Sequence, residues 1–288
     1  MADVLIIGGG PAGVSAALYT ARAGISTKII YKDMGALTKA EKVDNFYGTP
    51  GITGPDLIKM GLAQAEYVGA EIEIGEVVKI QQQFGEKTYF EVETVNASYT
   101  ARTLLLATGS SRAMPKIPGL EAYDGKGISH CALCDAFFYK GKDVAVLGHS
   151  QYALSEAKEL LPLAKSVTIL TNGNDPEIDF PPELTLRKEK INEVLGETRL
   201  TGVNLESEIL PIDGLFIALG TAGATALARK LGAFTENNTV IIDENTRTNI
   251  PGLWAAGDCT PGMKQIAKAV YQGAIAGTDI VRFLREVN

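Results

Sequence analysis

"DVLIIGGGPAGVSAALYTARAG", residues 3–24, reads as a buried strand over residues 3–7, a glycine-rich turn, and an amphipathic helix with Val14, Ala17, Leu18 and Ala21 at helical spacing. Gly8, Gly10 and Gly13 form G-x-G-x-x-G between that strand and that helix, a context that makes a weak pattern informative. Each glycine has its own task. Gly8 makes the tight turn, Gly10 lets backbone amides approach a pyrophosphate, and Gly13 lets the helix pack against the strand. The start of the helix then stabilises the diphosphate charge. "STKIIYKD", residues 26–33, supplies the next strand, and Asp33 stands where a carboxylate can accept ribose hydroxyls, although two residues beyond the apolar run. The competing reading is a glycine-rich turn that holds no ligand.

Outward from this unit, residues 70–107 show short alternating runs separated by Gly, Asn and Ser, which predict a small antiparallel appendage returning to a parallel strand at 103–107. A second strand-turn-helix begins at "KDVAVLGHSQYALSEAKELL", residues 142–161, followed by "SVTILTNG" and closed by the buried strand in "DGLFIALG". After it, "TVIIDENTRTNIPGLWAAGDC" and a helix over about 264–285 carry no third glycine fingerprint, which places them with the first unit. The expected fold is α/β, with two Rossmann-like, three-layer dinucleotide-binding domains, the second inserted into the first. The expected boundaries are 1–111 with 239–288, and 112–238.

The 288 residues are 45% hydrophobic and 21% charged, ordinary for a globular protein of two domains. Apolar runs such as "VLII" and "LFIAL" are strand-sized, so no membrane span is expected. Met1 leads almost directly into a strand without a basic leader, which predicts a cytoplasmic protein. A net charge of −7 argues against a general nucleic-acid partner.

Only three cysteines occur in the chain, too few for a disulfide framework. Cys131 and Cys134, in "CALCD", have a spacing that permits a reversible disulfide and often puts one thiolate at a helix start, where its pKa falls. Asp135 follows at once and can shuttle the proton that thiol-disulfide exchange requires. Zinc would need four ligands, and His130, Cys131, Cys134, His149 and Cys259 offer no second C-x-x-C. A pair of buried structural thiols is the other alternative. Cys259, His130 and His149 receive no catalytic part.

"GGGPAG", "ATG" (107–109), "AAGDC" (255–259) and "CALCD" together resemble the flavoprotein disulfide reductases, and among them the low-molecular-weight thioredoxin reductases, over essentially the whole chain. The resemblance implies FAD in the first domain. It puts the cofactor against Gly8, Gly10, Pro11, Ala12 and Gly13, against Asn45 of "KVDNFYG", and against Thr108 and Gly109. Gly257 and Asp258 would face the ribityl and phosphate part, and Gln265 of "MKQIAKA" the isoalloxazine. Lys264 stands where the family usually has Arg, keeping the charge without the planar fork. By the same resemblance Cys134 lies against the flavin and takes its electrons, Cys131 attacks the disulfide of a thioredoxin-like substrate, and Asp135 donates the proton. A homodimer is the family precedent.

The second glycine motif departs from the family. Where G-x-G-x-x-G/A would bind a nicotinamide dinucleotide, the chain reads Gly148, His149, Ser150, Gln151, Tyr152, Ala153. Ser150 replaces the middle glycine and opposes the close approach of a pyrophosphate. The family's His-Arg-Arg run after the next strand is replaced by "LTNGNDPEIDF", residues 170–180, without Lys or Arg, and its Asp175, Glu177 and Asp179 would repel a 2′-phosphate. Asp175 is the one residue placed to bind an NADH ribose. The order of expectation is no nicotinamide, then NADH, then NADPH. This resembles the ferredoxin-dependent flavin thioredoxin reductases; some relatives hold a second flavin in the altered domain. A ferredoxin, being acidic, would need a local basic patch, with "RKEK" (187–190) or Lys140 and Lys142 as candidates. A conventional NAD(P)H-dependent thioredoxin reductase and a flavin- or metal-binding redox sensor without turnover stand as alternatives.

Overall fold

The protein is described by a computed structural model covering residues 1–85, 88–109, 115–220, 223–236 and 238–286. The chain divides into two compact units, Met1–Ser111 with Gly223–Asn288, and Arg112–Ala222. The crossing expected between 111 and 112 lies outside the described residues.

In the first unit β1 (Ala2–Ile7) runs into α1 (Pro11–Arg22), which starts on Pro11, a residue whose fixed φ and missing N–H suit the first helical position. β2 (Thr27–Tyr31) lies parallel to β1 with Ile6 opposite Ile29. α2 (Gly54–Tyr67) is capped by Thr53, whose hydroxyl accepts the Asp56 N–H at 3.2 Å. β3 (Glu71–Ile74), β4 (Val77–Gln83), β5 (Tyr89–Thr94) and β6 (Ser98–Leu106) follow. β4, β5 and the first half of β6 form the antiparallel meander. β3 does not join it. Glu71–Ile74 pairs in parallel with β2, with Ile72 against Ile29, because the crossover through α2 returns the chain in the direction of β2.

In the second unit come β7 (Ile128–Ser129), α3 (Ala132–Asp135), β8 (Asp143–Leu147), α4 (Gln151–Leu160), β9 (Ser166–Leu170) and β10 (Thr185–Arg187). β11 (Ile191–Gly196), β12 (Leu200–Leu205) and β13 (Ile209–Pro211) form an antiparallel sheet, and β14 (Gly214–Ile217) returns to the parallel one, ordered β10-β9-β8-β14-β7. Leu147, Leu170 and Leu215 from the parallel sheet meet Val194, Val203 and Leu205 from the antiparallel one in a single apolar core.

The chain re-enters the first unit at Gly223, sixteen residues before the expected 239. α5 (Ala224–Lys230) donates its Ala224 N–H to Thr108 Oγ1 at 2.8 Å, and the Thr225 hydroxyl donates to the Asn238 carbonyl at 3.0 Å. β15 (Thr235–Glu236) pairs with β16 (Thr239–Val240), which ties residues 223–236 to the flanking segment of the first unit. β17 (Leu253–Ala255) then adds to β6 in parallel, Trp254 opposite Leu105, and α6 (Ile266–Glu286) closes the unit. Asp279 of α6, 3% exposed, accepts from Trp254 Nε1 at 2.9 Å and from Arg247 Nη2 at 2.9 Å, locking the returning segment onto the sheet.

α1, α2 and α6 cover one sheet face, where Val4, Ile6, Ile29 and Leu105 meet Ala17, Ile58, Leu62, Ala276 and Ile280. α6 crosses α1 on two glycines. A Cβ on Gly273 would lie 2.2 Å from the Ala12 carbonyl oxygen, and one on Gly277 2.6 Å from that of Ala16. This close crossing brings the start of α6 to the start of α1. No helix among the described residues is long and apolar enough to cross a membrane.

Candidate active site

The first glycine turn divides its work as the spacing predicts. Gly8 has φ of +121°, and a Cβ there would meet the Ala107 carbonyl oxygen at 2.2 Å, so the turn packs directly on the end of β6. A Cβ on Gly13 would fall 2.0 Å from the Gly8 carbonyl oxygen. A Cβ on Gly10 would meet nothing within 4 Å, so open space lies where a pyrophosphate would need room. Gly9, outside the motif, is also constrained, since a Cβ would come 2.9 Å from the Tyr31 ring. These residues fit a dinucleotide cofactor.

The segments expected to continue this cradle come together around it. Gly257 has φ of +84°, and a Cβ there would lie 2.9 Å from the Cβ of Ala12, at the start of α1. Asn45 Nδ2 donates to Gln265 Oε1 at 3.0 Å, joining residues 220 apart in sequence. Burial pushes the Asp258 carboxyl above its usual range, against the pull of Lys268 and Lys264. Thr108 Oγ1 accepts from Ala224 N–H, and Gly109, with φ of +76°, ends the β6 turn beside open space. Asp33 is elsewhere engaged: β2 ends at Tyr31, and an Asp33 carboxylate oxygen accepts from Gly35 N–H at 2.8 Å, capping an exposed turn.

Two residues that the sequence reading omits hold the 257–260 loop. Lys268 Nζ donates to the carbonyls of Gly257 and Thr260 at 3.0 Å each, and burial lowers its pKa. Gln272 Oε1 accepts from Gly257 N–H at 2.9 Å and from the Thr260 hydroxyl at 2.8 Å. Both lie at helical spacing after Gln265, the signal that could have found them.

The second turn has the same backbone plan and a different interior. A Cβ on Gly148 would meet the Ala218 carbonyl oxygen at 2.2 Å, the counterpart of Gly8 on Ala107. Ser150 is the N-cap of α4, as Gly10 is of α1. Its side chain does not cap the helix. It is fully buried, and its hydroxyl donates to the Gly220 carbonyl at 2.7 Å. Segment 174–180 folds over the turn, with Glu177 N–H donating to the His149 carbonyl at 2.8 Å and Glu177 Oε1 lying 3.5 Å from His149 Nε2. A carboxylate therefore stands beside the turn where an intact motif presents amides to phosphate.

Asp175 lies 3.4 Å from Lys188, while Arg187 pairs with Glu189 and Glu208 at 2.7 Å each. Arg187 and Lys188 of the "RKEK" run thus have acidic partners within their own unit.

In the same unit Cys131 and Cys134 form a disulfide. Cys131 is the N-cap of α3, its sulfur accepting Cys134 N–H at 3.2 Å, and is 3% exposed, whereas Cys134 faces solvent. Asp135 Oδ2 accepts from the Ser129 hydroxyl at 2.6 Å, and Ser129 Oγ accepts Cys131 N–H at 3.1 Å. Ser129, which the sequence reading omits, holds the acid in register with the disulfide. His130 pairs with Asp124 at 3.1 Å.

Cys259 lies in the other unit, fully enclosed, its sulfur donating to the carbonyls of Leu106 and Ala256, and burial pushes its pKa up to about 12. Because the thiolate is the reactive form, iodoacetamide at pH 8 is expected to leave Cys259 unlabelled in the folded protein and to label it after unfolding. Labelling at equal rates in both states, followed by peptide mass spectrometry, would contradict this.

The pyridine nucleotide-disulphide oxidoreductase family matches residues 2–273. The thioredoxin reductase of Listeria innocua is 32% identical over 99% of this chain and 94% of its own. Among solved structures, the atypical thioredoxin reductase TRi from Desulfovibrio vulgaris Hildenborough superposes with a TM-score of 0.91 at 37% identity, covering 99% of both chains. The ferredoxin-flavin thioredoxin reductase from Clostridium acetobutylicum gives 0.73 at 31% identity, covering 99% of this chain and 98% of its own. The chain belongs to the pyridine nucleotide-disulphide oxidoreductase family, within its thioredoxin reductases. Membership implies a flavin and a disulfide oxidoreductase activity.

Proposed function

We propose that this protein reduces the disulfide of thioredoxin or a thioredoxin-like protein through Cys131 and Cys134, with FAD in the first unit, and that the flavin receives its electrons from ferredoxin or a second flavin rather than from NADPH. The observation that carries the donor assignment is Ser150. At the position where Gly10 leaves open space, its buried hydroxyl is bonded to the Gly220 carbonyl, and Glu177 lies against His149 beside it. A nicotinamide pyrophosphate would have to displace both. The two solved neighbours, an atypical thioredoxin reductase and a ferredoxin-flavin thioredoxin reductase, support the same direction.

The cofactor, when bound, supplies a two-electron store for the disulfide and can be filled one electron at a time. The first unit's residues would hold it: Gly8, Gly10, Pro11, Ala12 and Gly13 of the first turn with Asn45, Thr108 and Gly109, Gly257 and Asp258 toward its ribityl and phosphate part, and Lys264 with Gln265 toward the isoalloxazine. Cys134, exposed on α3, takes the electrons. Opening of the S–S bond frees Cys131 as the nucleophile that attacks the substrate disulfide, and Asp135, held by Ser129, supplies a proton to the departing sulfur. The protein works as a homodimer in the cytoplasm.

Anaerobic titration of the flavin-loaded protein tests the donor. NADPH and NADH are expected to leave the flavin absorbance unchanged, while reduced ferredoxin bleaches it. Bleaching by either nicotinamide at catalytic rates would return the protein to the conventional thioredoxin reductases.

A further inference from the structure

Asp135 is not the only carboxylate at the redox helix. Glu156, on α4, is 1% exposed, and its Oε2 accepts the Ala132 N–H at 2.7 Å. Ala132 follows Cys131 directly and is the first residue of α3. Two acceptors therefore share the amides at the start of this short helix: the Cys131 sulfur, on Cys134 N–H at 3.2 Å, and the Glu156 carboxylate, on Ala132 N–H.

A thiolate at such a position is stabilised by helix-start amides. Glu156 takes one of those amides, on the residue directly after Cys131, and a carboxylate charge so close along the chain disfavours a second charge at that cysteine. The disulfide carries no charge and is indifferent to it. Reduction breaks the S–S bond and takes up two electrons, with two protons, or with one where Cys131 remains a thiolate. The carboxylate thus weighs against the reduced, ionised pair and leaves the oxidised pair untouched. A buried acid is a costly choice for a helix face packed on an apolar element, and glutamine could accept the same N–H without a charge.

We propose that Glu156 is a positioning residue that holds the start of α3 and, through its charge, keeps the Cys131–Cys134 couple strongly reducing, so that electrons pass on to a partner disulfide. This rests on the reading of that pair as the redox centre.

The full-length, flavin-loaded protein is equilibrated anaerobically with mixtures of dithiothreitol and its cyclic disulfide, the dithiol giving up two electrons and two protons. Mass spectrometry after acid quench and alkylation reads the reduced fraction of the pair. Glu156→Gln keeps an acceptor for Ala132 N–H and removes the charge; Glu156→Ala removes both. Both variants are expected to shift the equilibrium toward the reduced pair by about tenfold, which is ~30 mV for a two-electron couple. A Glu156→Gln equilibrium within twofold of the parent would overturn the proposal, whether Glu156→Ala shifts or not, since the residue would then be at most a structural acceptor. A parent protein whose pair does not titrate reversibly would instead overturn the redox-centre reading, a failure distinguishable from the first.

Discussion

Cys131→Ser is expected to lower reduction of a thioredoxin disulfide by ~10³-fold or more, because a serine hydroxyl is not ionised at neutral pH and cannot carry the exchange. The fold should tolerate it. Cys131 is the N-cap of α3, its sulfur accepting Cys134 N–H, and serine is among the strongest N-caps. Flavin content and melting temperature are therefore expected to stay close to those of the parent, which separates loss of chemistry from loss of structure. Cys134→Ser should lose turnover to the same extent, since neither cysteine can form the disulfide alone. Turnover within tenfold of the parent in Cys131→Ser would remove the pair from the reaction and favour a sensor that binds flavin without turning over.

The second large effect lies in the first glycine turn, where neighbouring positions should fail in different ways. Gly10→Val places its side chain where a Cβ meets nothing within 4 Å. The apoprotein should melt within a few degrees of the parent, while the filled space excludes the cofactor and the purified protein comes out colourless. Gly13→Ala has the opposite character. Its Cβ would fall 2.0 Å from the Gly8 carbonyl oxygen, so β1 and α1 must separate, at a cost on the order of 1–3 kcal/mol or more for overpacking. Soluble yield and melting temperature should fall along with flavin content. The ratio of flavin to protein absorbance, with thermal melts of both apoproteins, checks the pair. Flavin retained by Gly10→Val would place the cofactor away from this turn.

Most of the architecture was legible because its signals are local. An apolar run followed by glycines at fixed offsets and an apolar stripe at helical spacing reports a strand-turn-helix wherever it occurs, and it does so at residues 3–24 and again at 142–161. The replacement of the middle glycine by Ser150 is legible for the same reason, since the requirement for glycine is set by its immediate neighbours. Less was legible where composition carried the argument. "RKEK" reads as a run of cations, and only the structure shows Arg187 with Glu189 and Glu208 and Lys188 beside Asp175. The return to the first unit is expected at 239, where a stretch without a third glycine fingerprint begins; the Ala224 amide on Thr108 brings the chain back earlier, at Gly223.

The sequence by itself determined that two dinucleotide-type units share one chain, that the first keeps an open glycine turn, and that a cysteine pair with an adjoining acid precedes a second turn altered at its middle position. Those follow from spacing along the chain. Only the tertiary structure decided which side chains meet: Asn45 on Gln265, Ser129 on Asp135, Glu177 on His149, and Glu156 on the amide next to Cys131. Such contacts depend on how strands are ordered in a sheet and where helices cross, and Glu156 shows why that matters. On α4 it is one polar residue among several, and it becomes part of the redox centre only because α4 packs against α3.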